Sequence, residues 1–144
     1  MTASDLATAW AHAATLAAMP GAPYHWLEQA LWASTCQVAG AASAADAPAC
    51  MAILDSWAEL RRQWPATFEL HAPSCHALLS AALTPALASL RGPELSRLAH
   101  RLAELAEGGE ALAMELLVQP LASELQRRKV MVGRRGCRVV RLQL

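Results

Sequence analysis

The leucines Leu95, Leu98, Leu102 and Leu105 fall at i, i+3, i+7 and i+10, one stripe of a 3.6-residue helix. Arg97, His100, Arg101 and Glu104 take the other side. Pro93 suits the first helical turn, where a missing N–H removes no hydrogen bond. Gly108 and Gly109 supply a stop. A helix divided in this way buries one face only, so it needs other helices beside it.

The rest of the chain offers them. Hydrophobic residues make up 55% of the sequence, Ala and Leu dominate, and β-branched residues are scarce before the last fifteen positions. That composition favours helix. Ser4 is the expected cap of a first helix reaching residue 19, with Leu6, Ala9, Ala13 and Leu16 inward. A second covers about 23–38, with Trp26, Leu27, Ala30 and Leu31 inward, and a small-residue loop follows over 40–46. A third runs from about 46 to Trp64, with Ile53, Trp57, Leu60 and Trp64 on one side and Asp55, Glu59 and Arg62 toward water; Pro65 closes it. A loop carrying Phe68 and His71 comes next. A fourth helix begins near Pro73 with Leu78, Leu79, Ala82 and Leu83, is kinked or broken at Pro85, and continues its apolar face through Leu87 and Leu90. The leucine-striped segment is the fifth. A sixth starts near Glu110, with Leu112, Leu116, Leu117, Leu121 and Leu125, and is interrupted at Pro120. The tryptophans at 10, 26, 32, 57 and 64 stand at helical spacing beside leucines, which assigns them mainly to the core. Residues 130–142 change character and read as two short strands around the Gly133–Gly136 turn.

An Ala-x-Leu ending recurs as Ala14-Thr15-Leu16, Ala58-Glu59-Leu60 and Ala103-Glu104-Leu105, at spacings of 44 and 45 residues. Each copy is followed by a loop and a second apolar helix. The expectation is an all-α fold: a helix-pair, α-solenoid-like, right-handed array of about six helices over 1–129, in units of about 4–45, 46–92 and 93–129, with a short β-hairpin over 130–144. A six-helix globular bundle is the competing arrangement. At Leu6-Ala7 through Leu16, Met51 through Leu60 and Leu95 through Leu105, the chain resembles the helical repeats of octotricopeptide and FAST-kinase-like proteins. The step Tyr24-His25-Trp26-Leu27 is similar to the Trp-containing start of their second helix. Those proteins are organellar RNA-binding factors, so the resemblance, which covers about residues 5–125, implies RNA binding without catalysis and a place in a chloroplast or mitochondrion.

Charge is segregated. Residues 127–144 carry seven Lys and Arg and no acid, while 1–126 carry five basic and twelve acidic residues. The basic end is expected either to stay solvated, to dock on its own acidic body, or to meet a polyanion. On the polyanion reading, the nucleic-acid contacts are Arg97, Arg101, Arg127, Arg128, Lys129, Arg134, Arg135, Arg138 and Arg141, because guanidinium forks suit phosphate oxygens. Three functions follow: single-stranded RNA binding by a helical repeat, a protein-interaction scaffold, or a winged-helix DNA binder built from the C-terminal third. Catalysis is not expected, since no nucleophile–base order, phosphate loop or dinucleotide fingerprint appears. No cofactor is implied. His71, Cys75 and His76 form the one local cluster of potential metal ligands, but Pro73 between them argues against a site, so no metal is expected. The first apolar run is too short to span a membrane and lacks the flanks of a targeting peptide. Cys36, Cys50, Cys75 and Cys137 include no Cys-x-x-Cys pair and are expected as thiols in a reducing, intracellular setting.

Overall fold

In a computed structural model, residues 1–19, 25–105 and 119–129 are described, and every regular element among them is helical. Helix α1 (Ala3–Ala17) begins two residues earlier than Ser4 would set it. Thr2 is the cap: its Oγ1 accepts from the Asp5 N–H at 3.1 Å, and the Asp5 carboxylate accepts from the Thr2 N–H at 3.2 Å. This reciprocal pair satisfies two donors at once, which one Ser side chain does not. The bonds from Thr2 hold the Asp5 carboxyl below its ordinary range.

Helix α2 (His25–Ala41) turns a different face inward from the one expected. Leu31, Trp32, Thr35 and Val38 are buried, Leu27 is half-buried, Ala30 is exposed and Trp26 is 70% exposed. At 100° per residue Trp26 falls roughly opposite the centre of the buried stripe. Apolar residues nearly encircle the first turns of α2, so the face is chosen by its later half. A 3₁₀ turn at Ala44–Asp46 then replaces part of the expected loop, and the Ser43 N–H donates to the Asp46 carboxylate at 3.0 Å.

Helix α3 (Ala47–Leu60) stops short of Trp64. Ile53, Trp57 and Leu60 are buried as expected, and Glu59 and Arg62 face water. Pro65 opens a further helix, α4 (Pro65–Leu70), where a loop was expected. A proline that ends one helix also fits the first turn of the next, and the short α4 exists to drive Phe68 into the core. Helix α5 (Ala72–Ala82) follows directly, and Pro85 converts the chain to a 3₁₀ stretch at Thr84–Ser89. Leu78, Leu79, Ala82, Leu83, Leu87 and Leu90 are buried through both. In α6 (Gly92–Leu105) all of Leu95, Leu98, Leu102 and Leu105 are buried. Residues 119–129 are helical, with Leu121 and Glu124 buried. Most of the expected sixth helix before Pro120, the β-hairpin over 130–144 and the wing of the winged-helix reading lie outside the described residues.

α1 packs along α3, α3 meets α6, and α2 packs along α5; α2 also touches α1, and α5 touches α3. Trp10 of α1, Trp32 of α2, Trp57 of α3 and Phe68 of α4 converge where these helices meet. Trp10 lies edge-on to Trp32 at 4.8 Å between centroids and to Trp57 at 5.8 Å, and Trp32 lies edge-on to Phe68 at 5.3 Å. Each such pair adds about 0.5–1.5 kcal/mol beyond area burial. Polar tips are tied: Trp10 Nε1 donates to Thr35 Oγ1 at 3.1 Å, and Trp32 Nε1 donates to Thr67 Oγ1 at 2.8 Å. The Thr35 hydroxyl in turn donates to the Leu31 carbonyl at 2.7 Å.

Two substitutions test this packing by thermal or denaturant unfolding. Trp57→Ala should destabilise by about 3–5 kcal/mol, the range for deleting a buried Trp. Thr35→Val keeps the shape but strands the buried Trp10 N–H, which should cost about 1–3 kcal/mol; an unchanged melt in either variant contradicts the packing described.

Candidate nucleic-acid interface

The described basic residues singled out by the sequence divide into two groups. On α6, Arg97 and Arg101 stand one turn apart and both reach across to Asp55 of α3. Arg97 Nε donates to Asp55 Oδ1 at 3.2 Å and a second Arg97 nitrogen pairs with Oδ2; Arg101 Nε donates to Oδ1 at 2.9 Å. Arg101 Nη1 also donates to Glu104 Oε2 at 3.0 Å, and His100 Nε2 lies 2.8 Å from Glu104 Oε1. The guanidinium pair that could fork a phosphate is thus closed on the chain's own carboxylates. Arg97 keeps about half of its side chain exposed while paired to Asp55. The arrangement is half-exposed, so each ion pair contributes only about 0.2–1 kcal/mol, but it fixes α6 against α3 at a defined register.

On the last described helix, Glu124 holds Arg127 and Arg128. Arg127 Nε donates to Glu124 Oε2 at 3.0 Å and Arg128 Nε to Oε1 at 2.9 Å. Arg128 Nη2 donates to the Leu87 carbonyl at 3.1 Å and also to that of Leu90. These carbonyls lie at the end of the 3₁₀ stretch, where that of Leu87 also accepts from the Leu90 N–H at 3.3 Å. A cation there also meets the negative end of the local peptide dipoles. Arg128 therefore docks residues 119–129 on the 84–90 segment. The bonds from Arg127, first, and Arg128 bring the Glu124 carboxyl down to about 2, against the opposing effect of its burial. Lys129 is exposed. Arg134, Arg135, Arg138 and Arg141 lie outside the described residues.

The remaining chemistry-bearing groups are scattered. Among the described residues no three His, Cys, Asp or Glu side chains are placed to hold a metal ion. His71 stacks on Trp32, 4.8 Å between centroids and 11° from parallel, while His76 bonds Ser80. Partial burial lowers the His71 pKa, with Glu28 opposing it. Cys50 and Cys75 are buried and Cys36 is exposed, its Sγ 3.1 Å from Ser74 Oγ. Burial, then Asp46, pushes the Cys50 thiol up to about 12. No helix among the described residues is long and apolar enough to cross a membrane. A shallow groove between α1 and α3 is lined by Ala3, Ala7, Ala11, Ala49 and Ala52.

Sequence reading missed Asp55, Glu124, Thr35 and Thr67 as partners. Asp55 sits 42 and 46 residues from its arginines, and no local pattern encodes that pairing. Glu124 was within reach, because Glu at i with Arg at i+3 and i+4 is a recognisable helical arrangement. No protein-family model matches the chain, and no curated protein or solved structure is detectably similar to it.

Two measurements follow. Glu124 has a depressed folded-state pKa, so its contribution to stability is full above an ordinary carboxyl pKa near 4.5 and is lost as pH falls toward about 2. Glu124→Gln should lower stability by about 1–3 kcal/mol at neutral pH and flatten the acid limb of the melting curve; identical acid limbs contradict the pairing. Native-state alkylation should label Cys36 and spare Cys50, whose thiolate is suppressed; equal labelling of the two contradicts the burial of Cys50.

Proposed function

We propose that the chain is a non-catalytic helical-repeat module that binds single-stranded RNA, with its basic C-terminal segment supplying the phosphate contacts. The observation that carries the reading is the packing of first helices on first helices, α1 on α3 and α3 on α6, and of second on second, α2 on α5. In an α-solenoid each helix pair leaves an apolar face that only the next pair covers. α2 and α5 run in the same direction: Trp32 and Cys36 of α2 meet His71 and Ser74 in that order. The recurrence of Ala-x-Leu at 44 and 45 residues agrees with this arrangement.

The ligand is supported by the resemblance to octotricopeptide and FAST-kinase-like repeats and by the segregated charge. Arg97, Arg101 and Arg128 are assigned to contacts between segments of the chain, and Arg127 to its pair with Glu124 on the same helix. The proposed phosphate contacts are Lys129, Arg134, Arg135, Arg138 and Arg141. A second reading, a scaffold for a protein partner, is favoured by one specific observation. The α6 arginines are closed on Asp55, in a body of residues 1–126 with twelve acids against five bases.

Mobility shifts of the full chain with single-stranded RNA at low and moderate salt separate the two. Binding should fall steeply with salt. Replacing Arg134, Arg135, Arg138 and Arg141 together by Ala should reduce the log–log salt slope by about 3, from four contacts at roughly 0.7 each. Arg97→Ala should leave that slope unchanged. Absence of any shift at low salt ends the RNA reading, and recovery of a protein partner after nuclease treatment then supports the scaffold.

A further inference from the structure

We draw no further inference here: the strongest candidate, the shallow groove of about 540 Å³ between α1 and α3 lined mainly by Ala3, Ala7, Ala11, Ala49 and Ala52, is a stripe of small residues, and nothing in the structure shows what covers it.

Discussion

Two of the three buried indole N–H groups, those of Trp10 and Trp32, find acceptors on other helices, and these bonds tie together the junction of the first four helices. Trp10 finds Thr35 on α2, and Trp32 finds Thr67 on α4. These two bonds are directional where the surrounding apolar packing is not. They therefore choose the face that α2 presents and pin α4 beneath it. Leaving either N–H unpaired would cost on the order of 1–3 kcal/mol, a large share of the stability of a chain this size. Trp57 lies among them with its Nε1 buried and no acceptor among the described residues. Its ring is held by contact with Trp10, Trp32 and Phe68.

Outside that junction, two carboxylates fix the later helices. Asp55 gathers Arg97 and Arg101 and sets α6 on α3; Glu124 gathers Arg127 and Arg128, and Arg128 continues to the Leu87 and Leu90 carbonyls. The leucine stripe of α6 supplies most of the attraction, since area burial is non-directional and large. The ion pairs add little energy in water and mainly select a register. This changes how the charge pattern reads. Arg97, Arg101, Arg127 and Arg128 each pair with a carboxylate of the chain, while Arg97 and Arg127 stay about half exposed.

The stripe in α6, the burial of Ile53, Trp57 and Leu60, and the inward run from Leu78 to Leu90 were legible because each is an amphipathic pattern interrupted by few alternatives. The face of α2 was not. Trp26, Leu27, Leu31 and Trp32 surround its first turns, and the choice among them follows from Thr35 and Val38 in its later half and from the bond of Trp32 to Thr67. Helix α4 is not legible because Pro65 serves equally well as the end of one helix and the first turn of another. The first cap was misplaced by two residues because Ser4 was weighed without the reciprocal bond that Asp5 offers Thr2. The arginine partners were hidden for a different reason: Asp55 is brought to α6 by the packing of helices distant in sequence.

Hydrogen exchange of the indole N–H protons, followed by NMR, tests the central arrangement most directly, because exchange requires opening of the structure that covers each group. Burial predicts strong protection for Trp10, Trp32 and Trp57 and rapid exchange for Trp26, which is 70% exposed. Protection of Trp26 together with rapid exchange of Trp10 or Trp32 would contradict the junction on which the fold is built.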